Sequence, residues 1–473
     1  GTTTTTTIQT TTMMEEARER IARWREDVLV PLFPPNSRGL GEIVRRGRSD
    51  YGKALRRAFV LPSPQSLPSR TTGNDDDDDD DENATTDEDA CSPLSAMRNQ
   101  DFSFVFRKKE LVRIVKQDVQ RIVFESSSFG GKKFWQSRKV RAALIRCMTV
   151  FVLEMQSKSR KDNASKEIMV EYKQGMHEIL AMVYLATSRA ATSFAEESFE
   201  SGSDELDELD DDDDDDDDEN NDDGLDVSLV VRDSEDNEEE GEGEYSEKFV
   251  EHDCFALFSA FANNTKSSLR LLEYFQSQND SFIDEYCERF RRRMYAADAV
   301  TARIFFSKMS LTRLYLPRFL KLVYVREFKR CEFLLMIWDA IIAEMGREGK
   351  SHHLSSNNEP LSTLPSARDI FESLSVAAVL GCKDTIIHEH TYYSAESVGN
   401  IINKINSFSS GFTKPSDVEN LIQMAKVIAG AKYEDDDEDD DEQFFDESVF
   451  KCDMFAAMGI EDESYHAREK KAS

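Results

Sequence analysis

The sequence has no apolar run long enough to cross a bilayer. Its longest apolar stretch, Ala142–Met155, is interrupted by Arg146 and is shorter than the roughly 18–20 residues that a membrane span needs. Its seven cysteines are scattered, odd in number and form no Cys-x-x-Cys pair, which argues against a disulfide framework or a zinc cluster. We therefore expect a protein without a transmembrane segment in a reducing, cytosolic compartment.

Common enzyme signatures are also missing. The sequence contains no Gly-x-x-x-x-Gly-Lys phosphate loop, no dinucleotide fingerprint, no His-Glu-x-x-His and no Gly-x-Ser-x-Gly. The pair His388 and His390 is too isolated for zinc, which usually needs three or four protein ligands, so a surface loop is the better interpretation. The sequence predicts no metal site.

The chain carries a formal net charge of -34, and most of the excess lies in three acidic runs. Asp75–Glu82 holds 8 acidic residues, Asp204–Glu244 holds 25 with one Arg, and Glu434–Glu442 holds 9. The rest of the chain has 51 acidic and 58 basic side chains, so the part that can fold is mildly basic. Long runs of like charge repel themselves and stay solvated, and we expect disordered inserts here. Nucleic-acid binding is disfavoured, because these runs repel phosphate and no basic stripe with interleaved aromatic residues is present.

The inserts divide the chain into blocks of different composition. We predict a low-complexity N-terminus (1–14), an N-terminal part of the folded domain (15–61), an acidic linker (62–91), a first subdomain (92–195), an acidic insert (196–246), a second subdomain (247–428) and an acidic and apolar tail (432–473). Residues 1–14 are rich in Thr and show no basic-then-apolar signal pattern.

Apolar residues recur at the three- and four-residue spacing of helices in the folded blocks. The clearest series in the 92–195 block are Leu111, Val115, Val119 and Ile122, and then Val140, Leu144, Cys147, Met148 and Phe151. The alternating β-branched runs that are typical of strands are missing. We therefore predict an all-α fold.

Two short motifs stand out against this background. Val115–Arg121 has the pattern Val-x-x-Asp-x-x-Arg, and Tyr172–Glu178 reads Tyr-Lys-Gln-Gly-Met-His-Glu. Together they resemble the two signature motifs of TBC-domain GTPase-activating proteins for Rab GTPases, which are Ile-x-x-Asp-x-x-Arg and Tyr-x-Gln-Gly-Met. Glu251–Phe258, Arg318–Phe328 and the pair Trp338-Asp339 fit the same family in the same order. The resemblance covers about residues 92–428 and is strongest to retromer-associated members of the family.

The resemblance implies a two-subdomain TBC helical domain in which Arg121 and Gln174 are the catalytic residues, supplied in trans to a Rab GTPase. A guanidinium can stabilise the negative charge that develops during GTP hydrolysis, and an amide can orient the attacking water. The protein would be an activator rather than an enzyme, with no cofactor of its own, because GTP and Mg²⁺ belong to the GTPase. It would act in membrane trafficking at endosomal membranes, with a GTP-loaded Rab as partner and retromer or autophagy adaptors as further partners.

Other residues receive supporting roles from the same resemblance. Asp118 would orient Arg121 or hold the end of the helix, and Tyr172 would pack beneath the glutamine turn with Gly175. Arg141 lies where the family tends to carry an arginine near its site. The residues of the structural motif in the second half are expected to lie in the core and at contacts between subdomains. They are Arg318, Arg326, Glu327, Trp338 and Asp339.

Each motif alone has a plainer interpretation. Asp118 and Arg121, three residues apart on a helix, look like an ordinary surface ion pair. Gln174 can belong to a turn that begins a helix, and Arg141 can lie on a solvated helix face. The ordered co-occurrence of the segments favours the functional interpretation. The chain departs from the family after Arg121, where Ile122 and the next two residues replace the usual Thr-x-Pro, so the exit from this helix is expected to differ.

Two rival functions remain. One is a non-catalytic TBC scaffold that binds retromer or a Rab, and the other is an acidic, chaperone-like protein that binds basic partners. The acidic runs are either tolerated loop expansions, since loop length costs little closure entropy, or devices for electrostatic steering. The apolar cluster of the tail, Phe444–Phe455, suits a short docking motif.

Overall fold

The computed structural model describes residues 15–33, 39–59, 93–122, 124, 126–161, 171–191, 245–276, 280–306, 312–354, 364–391 and 395–431. The three acidic runs, residues 1–14 and the tail with its proposed docking motif lie outside these ranges. Every regular element within them is helical, and no strand is present in this part of the chain. The predicted all-α class is confirmed.

The helices are numbered in chain order. They are α1 (15–24), α2 (Leu40–Phe59), α3 (Pro93–Gln120), α4 (Gly131–Gln136), α5 (Arg138–Lys161), α6 (Met176–Ala190), α7 (Val250–Ala262), α8 (Leu271–Gln276), α9 (Asp280–Ala297), α10 (Ala299–Phe306), α11 (Thr312–Lys321), α12 (Cys331–Leu354), α13 (Ala367–Leu380), α14 (Lys383–Thr391), α15 (Ala395–Asn406) and α16 (Pro415–Gly430). A π-helical turn, Arg25–Leu29, and a 3-10 turn, Val30–Leu32, extend α1.

Helices α6 and α13 are the most deeply buried. Of the residues in α6, 14 of 15 are buried, and the same holds for 12 of 14 in α13. A helix that is buried on all sides has no face for water and must be surrounded by other helices. Helices α3, α5 and α7 pack around α6, while α9, α11, α12 and α16 pack around α13. The core is therefore built around two central helices.

The apolar series predicted to face the core do so. In α3, Val115 is 0% exposed and Val119 is 1% exposed, while Leu111 is only partly buried. In α5, the entire predicted series is buried, from Val140 to Phe151. Both helices thus bury an apolar stripe, and the contacts of α3 with α5 and α6 hold its C-terminal end against the core.

The N-terminal segment packs into the core through apolar side chains, among them Trp24, and through charged side chains. The ring of Trp24 lies 6.1 Å from that of Trp338, centroid to centroid. Arg25 forms a 2.8 Å ion pair with Asp253, and Arg48 contacts the same carboxylate at 2.7 Å. Buried charges are costly unless they are paired, so these contacts fasten α1 and α2 to α7 and α12.

One local expectation from the sequence is wrong. His388 and His390 lie in α14 rather than in a surface loop. No Gly or Pro interrupts Lys383–Thr391, and the buried side chain of Ile386 anchors this helix to the core. Among the described residues, no three His, Cys, Asp or Glu side chains come close enough to hold a metal ion. None of the described helices has both the length and the apolar composition needed to span a bilayer.

Candidate functional site

Arg121 follows the last residue of α3 and projects into solvent from a fixed base. Its backbone N–H donates to the carbonyl of Asp118 at 3.1 Å, while Val115 and Val119 hold the helix end in the core. The Arg121 side chain is 72% exposed, and its Nη1 lies 3.5 Å from the Asp118 carboxylate. The ion pair predicted as the plainer alternative is therefore present, but the guanidinium remains accessible from outside.

Gln174 lies on the turn that begins α6. Its side chain is exposed, and the N–H of Met176 closes the turn by donating to the carbonyl of Lys173 at 3.2 Å. Gly175 has a φ of +102° and caps the helix. A Cβ at this position would lie 2.7 Å from Cδ2 of Leu322. Both the backbone conformation and the close approach of Leu322 therefore require glycine beside Gln174.

A chain of hydrogen bonds joins the two motifs. The Tyr172 hydroxyl donates to Oδ2 of Asp118 at 2.8 Å and lies 2.8 Å from Nδ1 of His177. Burial lowers the pKa of His177, which favours the neutral ring, and the Gly175 N–H donates to the same Nδ1 at 3.4 Å. Burial and the bond to Asp118 raise the pKa of Tyr172, which keeps the hydroxyl protonated. The carboxylate beside Arg121 is thereby linked to the helix that begins at the Gln174 turn.

Arg121 and Gln174 line the same groove, which has a volume of about 840 Å³. The other residues of its lining come from the end of α3, the segment after it, the start of α6 and the loop before α12. They are Asp118, Ile122, Phe124, Ser126, Phe129, His177, Glu178, Val325, Arg326, Phe328 and Lys329. The groove is of the size at which proteins hold small molecules or take in part of a partner.

The second wall of the groove is a strained loop between α11 and α12. Val323 and Tyr324 have φ values of +48° and +63°, in a region that side chains rarely adopt, least of all β-branched ones. Trp338 Nε1 donates to the Val323 carbonyl at 2.9 Å, and the Tyr324 hydroxyl donates to the Phe371 carbonyl at 2.9 Å. Such strain costs on the order of 1–3 kcal/mol per residue and persists only where the surroundings enforce it. Here the loop places Leu322 beneath the glycine of the Gln174 turn.

Arg326, which was expected in the core or at a contact between subdomains, joins the second half of the chain to α6 at the groove. Its side chain is 53% exposed and lines the groove. Nε and Nη2 donate to the two carboxylate oxygens of Glu178 at 2.8 and 2.5 Å, and Glu178 itself is buried in the first turn of α6. The hydrogen bonds to Glu178 are the main cause of the raised pKa of Arg326. The sequence missed this role because the two partners are 148 residues apart.

The remaining residues of the second-half motif lie in the core or at its edge. Trp338 is 0% exposed, and Asp339 accepts hydrogen bonds from Arg20 Nε at 3.0 Å and from Trp24 Nε1 at 2.7 Å. Arg318 Nε donates to Oε1 of Glu327 at 2.9 Å. Burial raises the pKa of Glu327, although the charge of Arg318 opposes that rise. These contacts agree with the structural role that the sequence indicates.

Arg141 does not line the groove. Its Nε donates to the carbonyl of Trp135 at 2.9 Å, which closes the turn between α4 and α5. The sequence also gave no role to His177, although it directly follows the Gln-Gly-Met motif on the first turn of α6. Phe124 and Phe129 were not singled out either, and their rings stack 5.4 Å apart at the groove. Helical spacing alone does not reveal these side chains, because they meet through a loop.

The groove therefore combines an exposed guanidinium, an exposed amide and an aromatic floor. A cation can stabilise a developing anion, and an amide can orient water, provided that a partner brings the reacting group. No protein-family model matches this chain, and neither the curated proteins nor the solved structures contain a significant match.

Proposed function

We propose that this protein is a GTPase-activating protein for a Rab-family small GTPase, with a TBC domain that supplies Arg121 and Gln174 in trans. The observation that carries the proposal is that these two side chains, 53 positions apart in the sequence, are both exposed and line one groove. The hydrogen bonds among Asp118, Tyr172 and His177 support it, because they connect the end of α3, which carries Arg121, to the turn that carries Gln174.

In the proposed reaction, the GTPase brings GTP and Mg²⁺ into the groove. The Arg121 guanidinium neutralises charge that develops on the transferred phosphoryl group, and the Gln174 amide orients the attacking water. Asp118 restrains Arg121 without burying it, since the two side chains are 3.5 Å apart and only the acid is enclosed. The expected consequence is a higher rate of hydrolysis on the GTPase, with no nucleotide held by this chain alone.

The proposal includes the cellular context that the motif resemblance implies. The protein would end Rab signalling in endosomal trafficking, and retromer or an autophagy adaptor would bring it to the membrane. The tail segment proposed for such docking lies outside the described residues.

Single-turnover GTP hydrolysis on a panel of GTP-loaded Rab GTPases tests the catalytic part. The wild-type chain should accelerate at least one of them, and Arg121→Ala should reduce that acceleration about 10³-fold. Gln174→Ala should also lower the rate strongly. A matched control is Arg113→Ala, which removes an arginine of similar exposure (56%) from the same helix outside the groove and should leave the rate unchanged.

The alternative outcomes separate the candidate functions. Equal stimulation of GTP hydrolysis by wild type, Arg121→Ala and Gln174→Ala would contradict the catalytic roles of the two residues. Binding of a GTP-loaded Rab without any stimulation would instead favour the non-catalytic scaffold.

A further inference from the structure

The groove presents more positive than negative charge to a partner, although the chain as a whole is strongly acidic. Arg121, Arg326 and Lys329 expose their side chains on its lining. The two acids of the lining are enclosed, since the side chains of Asp118 and Glu178 are only 10% and 7% exposed. An approaching surface therefore meets cations first, with the carboxylates behind them.

Of these cations, Arg326 is the one held in a fixed orientation. Two parallel hydrogen bonds to Glu178 fix the plane of its guanidinium, in the bidentate geometry that gives an arginine its strongest pairing. A guanidinium has five N–H donors, and the pair uses two of them. The others lie on a side chain that is 53% exposed at the groove wall. The strained backbone at Val323 and Tyr324 fixes the loop that carries it.

We propose that Arg326 binds a carboxylate on the surface of the partner and so helps to decide which GTPase the groove accepts. This inference rests on the function proposed above and deepens it. It assigns different tasks to the two exposed arginines: Arg121 acts on the nucleotide, and Arg326 acts on the protein that carries it.

The distinction between a surface carboxylate and a nucleotide phosphate follows from how each arginine is held. Arg121 is joined to Asp118 by a single 3.5 Å contact and is 72% exposed, so it can extend toward a reacting phosphoryl group. Arg326 cannot extend in this way without breaking both bonds to Glu178. A preorganised donor of this kind suits a fixed carboxylate on a docking surface.

The test uses the GTPase that the wild-type protein stimulates most. Its hydrolysis is assayed with the variants Arg326→Gln and Glu178→Gln and with the double variant. Arg326→Gln alone leaves Glu178 buried without its partner, which can harm folding. The double variant removes both charges together and avoids that cost. Arg330→Gln is the matched control, because Arg330 is 51% exposed, lies four residues along the chain and is not part of the groove lining. The readouts are kcat, KM and the Kd for the GTPase loaded with a non-hydrolysable GTP analogue.

The inference predicts that Arg326→Gln and the double variant raise KM and Kd about tenfold, with kcat nearly unchanged. Arg330→Gln should change neither. Recovery of normal KM in the double variant would overturn the inference, since Arg326 would then serve only to neutralise Glu178. A fall in kcat at unchanged Kd would also overturn it, because Arg326 would be acting on the phosphate.

Failure of the underlying function gives a different result. If the wild type stimulates none of the GTPases, the proposed activity fails and this inference fails with it. If the wild type stimulates hydrolysis and Arg326→Gln behaves like wild type, the activity stands and only the role of Arg326 is lost.

Discussion

The two central helices each carry a buried glutamate, and the two are held in opposite ways. Glu372 of α13 accepts from the Tyr274 hydroxyl at 3.0 Å and from Arg289 Nη2 at 2.8 Å, and it also pairs with Arg293. Glu178 of α6 is paired with one arginine, which is half exposed at the groove. All partners of Glu372 come from the protein interior or its edge, whereas the partner of Glu178 faces outward.

The difference separates a charge network inside the core from an ion pair that reaches the groove. A buried ion pair is weak evidence for stability, but loss of one member is costly because the other charge remains buried. Around Glu372, the side chain of Arg293 is only 7% exposed and cannot reach water easily. Around Glu178, the side chain of Arg326 is 53% exposed. The first network therefore holds α9 against α13, while the second sets the position of a donor on the groove wall.

The largest expected effect is on stability at Glu372. Glu372→Ala should lower the free energy of unfolding by about 3 kcal/mol, because Arg293 then stays buried with only the part-exposed Asp369 as its acidic partner. Glu178→Ala should cost only about 1–2 kcal/mol, because Arg326 is released into water. Urea unfolding followed by circular dichroism measures both values. Equal losses would contradict the contrast between the two helices.

The next effect concerns the turn that precedes Glu178. Gly175→Ala places a Cβ 2.7 Å from Leu322 and forces an alanine into a φ of +102°. We expect a loss of about 2 kcal/mol together with loss of stimulated GTP hydrolysis, since the Gln174 turn must move. Gly52→Ala is the control, because nothing lies within 4 Å of its added Cβ and helix propensity improves. A Gly175→Ala variant with full activity would show that the turn tolerates displacement.

The sequence predicted the helices and both residues of the proposed catalytic pair more readily than the groove around them. Helical spacing identifies Val115 and Val119 because burial is encoded locally, in one stripe of one helix. The pairing of Glu178 with Arg326 is not local, since it depends on how a loop approaches a helix 148 residues earlier. Motif order indicated Arg121 and Gln174 but predicted for Arg326 only a place in the core or between subdomains, because the Trp and Phe residues of that motif favour packing over ligand contact.

A smaller effect is expected from the hydroxyl that links the two motifs. Tyr172→Phe keeps the ring but removes the hydroxyl that donates to Asp118 and lies 2.8 Å from Nδ1 of His177. The free energy of unfolding should fall by about 1.5 kcal/mol, the lower end of the range for a hydrogen bond to a charged group. The stimulated rate of GTP hydrolysis should fall by more than the loss of folded protein explains, because Asp118 and the α6 turn lose their connection. Thermal unfolding and the hydrolysis assay on one preparation measure the loss of stability and the loss of stimulated rate. A loss of rate no larger than the loss of folded protein would argue against coupling between Asp118 and the α6 turn.

The smallest expected effect is a pH dependence that belongs to Glu372. Burial alone would raise the pKa of this carboxyl, but the hydrogen bond from Arg289 and the charges of Arg293 and Arg289 outweigh it and hold the pKa below its ordinary value of 4.5. A carboxyl with a lowered pKa in the folded state contributes stability above pH 4.5, and that contribution is lost as the pH falls through the folded value. The gap in unfolding free energy between wild type and Glu372→Gln should therefore be full at pH 6 and should narrow as the pH falls below about 4.5. The gap is the useful quantity, because other acids titrate in the same range in both proteins. A gap that widens toward acid would mean that burial dominates at Glu372, and the contrast with the outward-facing pair of Glu178 would then need another cause.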